Sequence, residues 1–140
     1  SRGHIDGCLV AGPVAIAYPA LWENKARGAA SWKDVIKRGV VLSKPVYAAQ
    51  IALYQAYMDA SVPGIASNPA ILTAINKDTA ELHHELIPFD ADLAQRMSDR
   101  AVRILRATDA DELLPRIARD RDFYVCQMCP WSNRCWSLGS

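Results

Sequence analysis

An acid and a lysine stand two residues apart in Leu21-Trp22-Glu23-Asn24-Lys25-Ala26, inside an otherwise apolar run. Side chains alternate faces along an extended strand, so Glu23 and Lys25 project together, and Trp22, Asn24 and Ala26 project the other way. Setting a carboxylate and an ammonium beside a hydrophobic run is costly unless they pair, bind a metal or do chemistry. A second acid, Asp6, lies upstream in Gly3-His4-Ile5-Asp6-Gly7. If these two segments run side by side as strands, Asp6, Glu23 and Lys25 meet.

The flanking sequence supplies elements able to hold that arrangement. Gly3 to Val10 reads as a strand, Ala11-Gly12-Pro13 as a turn, and Ala20 to Ala26 as a second strand after Pro19. Ser31-x-x-Asp34 resembles a capping box and Gly39 suits the residue after a helix, which predicts a short helix over Trp32 to Arg38. A longer helix starts near Pro45 and runs to about Ala60, where Val62-Pro63-Gly64 ends it. On it Gln50 and Tyr54 are four apart and share a face. Ile71 to Asn76 and Glu81 to Phe89 flank Lys77-Asp78-Thr79 as a β-hairpin. Asp90 is a suitable N-cap for a helix from Ala91 to about Ala107, with Leu93, Met97, Ala101, Ile104 and Leu105 as its buried stripe. Asp111 to Arg119 reads as another helical turn or two, with Pro115 an awkward interior residue.

The 140 residues, 51% of them hydrophobic, suffice for one domain with a core. The whole chain, 1–140, therefore reads as one domain whose stretch 119–140 is a cysteine-bearing tail. Sixteen Lys and Arg against fifteen Asp and Glu leave a net charge of +1, so no global field marks a nucleic-acid or membrane binder. Locally, Lys25, Arg27, Lys33, Lys37, Arg38 and Lys44 face Asp34 alone, which is either a solvated helix surface or a phosphate-contacting rim. No run of about 18 apolar residues occurs, so no transmembrane helix is expected, and no signal peptide is legible. Cys126, Cys129 and Cys135 cluster as C-x2-C-x5-C apart from Cys8, a spacing that reads as metal or iron–sulfur ligation in a reducing, cytoplasmic setting.

Taken in order, Gly-x-x-Asp (Gly3 to Asp6), Glu-x-Lys (Glu23 to Lys25), Gln-x-x-x-Tyr (Gln50 to Tyr54) and the C-terminal cysteines resemble the PD-(D/E)XK nuclease superfamily. The likeness is to the branch of RecB, AddB, lambda-type exonucleases and CRISPR-adaptation nucleases. Lys44-Pro45-x-Tyr47 and the Asn76-Lys77-Asp78 hairpin look like its phage members. The resemblance implies an α/β, restriction-endonuclease-like core, a mixed central sheet flanked by helices, with the family's N-terminal helix and first strand missing from this chain. It implies a magnesium- or manganese-dependent deoxyribonuclease, an exonuclease of phage or host recombination and repair. Asp6 and Glu23 would be carboxylate ligands, Asn24 would lend its main-chain carbonyl, and Lys25 would orient the water or stabilise charge in the transition state. Gln50 and Tyr54 would help position DNA or the catalytic groups.

The same resemblance makes Cys126, Cys129 and Cys135 ligands of a [4Fe–4S] cluster, with the fourth thiolate expected upstream. Zinc is the alternative, completed by His83 or His84. Cys8 lies too close to Asp6 to be the preferred fourth ligand. Expected partners are DNA, an upstream segment, a recombination protein or a second copy of the chain. Bland alternatives accompany each residue: Glu23 and Lys25 as a salt-bridged edge pair, Gln50 and Tyr54 as core capping, and His4, His83 and His84 as structural or exposed. Trp22, Trp131 and Trp136 either stack on bases or fill the core. Two other functions compete with the nuclease: an inactive DNA-binding or scaffolding module, and an interaction domain built on the cysteine tail.

Overall fold

The apolar run around Glu23 forms a strand in the computed structural model, which describes residues 3–138. This strand, β2 (Ala20–Arg27), follows β1 (Gly7–Leu9) and precedes β3 (Ala70–Asn76) and β4 (Leu82–Ile87). The four make one open mixed sheet in the order β1-β2-β3-β4. β1 is antiparallel to β2, β2 is parallel to β3, and β3 is antiparallel to β4. A parallel pair needs a crossover, and the chain between β2 and β3 provides it as two helices, α1 (Ala29–Ser43) and α2 (Pro45–Met58).

The core lies where these helices meet the sheet. Leu21, Leu72 and Ala74 from the strands pack with Trp32, Val35 and Ile51 from the helices. Trp32 is fixed there by a bond from its indole Nε1 to the Ala74 carbonyl at 3.1 Å, as a buried indole N–H requires a partner. The hairpin expected around Lys77-Asp78-Thr79 is present, and it does more than turn the chain. Asp78 Oδ2 accepts the Ala29 N–H at 2.9 Å, capping the start of α1.

Four expectations are corrected. The first strand is shorter, Gly7–Leu9 rather than Gly3 to Val10, so Asp6 sits in the bend just ahead of it. The helix read over Trp32 to Arg38 is longer on both sides. Gly39 does interrupt it, at φ 74° and ψ 158°, but the Val40 N–H is taken by both oxygens of Glu85, at 3.1 and 2.9 Å, and helical turns resume to Ser43. That cap comes from a distant strand, which local sequence does not display.

The other two corrections concern α3 (Ala91–Asp109) and the segment after it. Asp90 caps α3 as expected, its Oδ1 accepting the Leu93 N–H at 2.8 Å. The predicted stripe is not buried along its length: Leu93 and Met97 are half-buried, whereas Ala101, Ile104 and Leu105 are exposed and Ala94 and Ala107 are buried. The chain divides into two compact units, one up to Asp99 and one from Arg100, so the boundary falls within α3 and its two ends belong to different units. Beyond it, residues 111–119 form no helix. Asp111 adopts φ 53°, a left-handed terminator, and the residue before Pro115 is biased away from helix. The second unit ends in two short helices, α4 (Tyr124–Gln127) and α5 (Ser132–Ser137). Among the described residues no helix is long and apolar enough to cross a membrane.

Gly39 occupies backbone space reserved for glycine, and a Cβ there would lie 3.1 Å from Glu85 Oε1. Replacing it with alanine should cost about 1–3 kcal/mol, read as a lowered denaturation midpoint; an unchanged midpoint would contradict the strain.

Candidate active site

Antiparallel register brings the two acids together. Gly7 pairs with Trp22 and Cys8 with Leu21, and Asp6 sits in the bend just ahead of Gly7, at the end of the ladder nearest Glu23. The join is reinforced by a bond from the Asn24 main-chain N–H to Asp6 Oδ2 at 2.7 Å. Asp6 is exposed to solvent, whereas Glu23 is only 1% exposed.

Glu23 is the hub. Its Oε1 accepts from Lys25 Nζ at 2.5 Å and from Gln50 Nε2 at 3.0 Å. Its Oε2 is buried and has no hydrogen-bond partner. A carboxylate in this position needs compensation on both oxygens, and the structure supplies it on one. Lys25 keeps 20% of its side chain exposed, which leaves an ammonium reachable from outside while tied to the buried acid.

The helix motif divides its work. Gln50 bonds Glu23 directly, as above. Tyr54 makes no hydrogen bond to the acids; its ring packs under Gly3, where an added Cβ would come within 2.8 Å of Tyr54 Cε1. The glycine of Gly-x-x-Asp and the tyrosine of Gln-x-x-x-Tyr are therefore one contact, and it backs the segment that carries Asp6. Asn24 points its side chain to the opposite face of β2, where Oδ1 is buried without a partner.

Two residues absent from the expected catalytic set belong to the same face. Arg27 follows Lys25 by two positions on β2, and its Cζ lies 4.7 Å from the centre of the Tyr47 ring; Lys25 Nζ lies 5.3 Å from that ring. The signal was available as spacing, since Tyr47, Gln50 and Tyr54 recur at i, i+3 and i+7 on α2. The wider basic rim is partly neutralised. Asp34 pairs with Arg38 at 3.5 Å and Lys44 at 3.8 Å. The Ser43 hydroxyl, with help from these cations and against a smaller opposing effect of desolvation, holds the Asp34 carboxyl below its usual range.

Other candidates lie apart. Trp22 is on the far face of the sheet, donating from Nε1 to Thr73 Oγ1 at 2.9 Å, and Thr73 bonds His84 Nδ1 at 3.0 Å. His83 and His84 alternate faces as expected, and His4 is exposed. Cys8 packs against the core. In the second unit, Trp136 stacks with Arg116 and Trp131 is exposed.

The residues fit a divalent ion at the acids better than a cluster at the tail. At the acids, Glu23 has an orphaned buried oxygen and the exposed Asp6 carboxylate is bonded to the N–H of the next residue, an oxygen donor set suited to a hard cation. In the tail, Cys126 and Cys129 line one hollow of about 320 Å³, whereas Cys135 lines another beside Trp136. Among the described residues no three His, Cys, Asp or Glu side chains are grouped to hold a metal.

Asp6→Asn keeps an oxygen to accept the Asn24 N–H, so its stability should fall by no more than about 1 kcal/mol. A loss above about 3 kcal/mol in denaturant unfolding would mark Asp6 as structural instead. Comparison of the chain with protein-family models, with curated proteins and with solved structures finds no match.

Proposed function

We propose that the chain is a metal-dependent DNA nuclease with a restriction-endonuclease-like core, acting as an exonuclease in phage or host recombination and repair. The observation that carries this reading is the Glu23–Lys25 pair on one face of β2, with one Glu23 oxygen buried and unpartnered and Asp6 tied to the next backbone N–H of the strand. The topology supports it too: an antiparallel acid-bearing pair, then a helical crossover to a parallel strand beside the Glu-x-Lys strand.

Asp6, Glu23 and the Asn24 main-chain carbonyl are the residues that would hold magnesium or manganese. Such an ion, when bound, offsets the charge building on the phosphate and acidifies the attacking water. Lys25 contributes a fixed positive charge toward the phosphate oxygens, where charge develops during hydrolysis. Its ammonium cannot swing away freely, because Glu23 Oε1 holds it. Gln50 fixes that same oxygen and so sets the direction of Oε2. Tyr54 keeps the Gly3 to Asp6 segment against the sheet, which keeps Asp6 at the Asn24 N–H.

Digestion of end-labelled linear and circular DNA, with magnesium or manganese and with chelator, tests the reading. Linear DNA should be degraded only with the metal, and Asp6→Asn or Lys25→Ala should slow cleavage by about 10²-fold or more. Cleavage at the parental rate in either folded variant refutes the site.

A further inference from the structure

We infer that Arg27, stacked on Tyr47, grips a backbone phosphate adjacent to the one being cleaved, which makes this pair a positioning device for the nucleic-acid strand. The inference rests on the nuclease reading for the identity of the anion. Its physical basis is separate and lies in how Arg27 is held.

Glu23, Lys25 and Arg27 alternate along β2 and so form one row on the helix-covered face. The step from Lys25 to Arg27 is two strand residues, about 6.6 Å, which is of the order of the separation between successive phosphates on an extended strand. Of the cations in this rim, Lys25 pairs with Glu23, and Arg38 and Lys44 pair with Asp34. Among the described residues Arg27 joins no salt bridge, and its Nε is buried without a hydrogen-bond partner.

A half-buried guanidinium lacking an acceptor is costly to maintain. The Tyr47 ring offsets part of that cost by a cation–π contact and also holds the guanidinium in place. What remains is a planar group with unfilled donors in the same row as the proposed chemistry, and a phosphodiester is the anion whose oxygens match such a fork. Tyr47 touches Lys25 as well, so one ring aligns the cation at the reacting phosphate with the cation at its neighbour.

Binding is measured on the Asp6→Asn background, which suppresses cleavage, with a fluorescein-labelled oligonucleotide across a salt series. Arg27→Ala should weaken binding about tenfold and lower the salt slope by about one. Tyr47→Ala should produce a loss of similar size, and Tyr47→Phe should restore most of it by returning the ring. In the cleaving background Arg27→Ala should raise KM more than it lowers kcat. Unchanged affinity and slope in Arg27→Ala, with cleavage still abolished by Lys25→Ala, overturns the phosphate grip and leaves the nuclease reading intact. Arg27-dependent binding in a chain that cleaves nothing has the opposite result: the grip stands and the nuclease reading falls. If Arg27→Ala fails to fold, Arg27→Lys decides by affinity: a point charge that loses the fork should weaken binding with the salt slope kept, and parental affinity overturns the proposal.

Discussion

The structure turns on one buried carboxylate. Taking Glu23 out of water carries a penalty of several kcal/mol, and the protein offsets only part of it through Lys25 and Gln50 on a single oxygen. An apolar residue of similar volume would satisfy the same core position without any of these contacts. The charge therefore lowers the stability of an otherwise ordinary α/β core. Its surroundings are a tethered ammonium beside it and an exposed acid bonded to the N–H of the next residue.

Long-range capping anchors the crossover to the hairpin. The crossover that carries Gln50 and Tyr47 is held at two points by the β3–β4 hairpin: Asp78 at the first turn of α1, and Glu85 at the turn restarted after Gly39. Each helix start leaves unsatisfied N–H groups, and each is met here by a carboxylate from a distant part of the chain. Because α1 leads directly into α2 across Lys44, these anchors also set where Gln50 meets Glu23. The Gly3–Tyr54 contact does the same for the opposing acid from further along α2.

The residues on α2 show why a shared helical face does not imply a shared task. Gln50 and Tyr54 are four residues apart, yet one bonds an acid and the other supports backbone. Tyr47, a further turn toward the N-terminus, faces the cationic end of the β2 row. Three successive positions along the helix thus address three successive stations: the cations, the buried acid, and the segment bearing the exposed acid.

Much was legible from local pattern. The alternation of Glu23 and Lys25, the hairpin at Lys77 to Thr79, the start of α2 at Pro45 and the Asp90 cap all follow from short-range rules of side-chain period, turn chemistry and capping. Those rules depend on residues a few positions apart, and the sequence displays them directly. The continuation of α1 past Gly39, the exposure of three of the five residues in the α3 stripe, and the stacking of Arg27 on Tyr47 were not legible. Each depends on which distant element supplies a carboxylate, a core or a ring, and only the folded chain decides that. The sequence determined that two acids and a lysine could share a face; strand register and helix placement decided that one acid would be buried, one exposed, and one neighbouring arginine left without an acceptor.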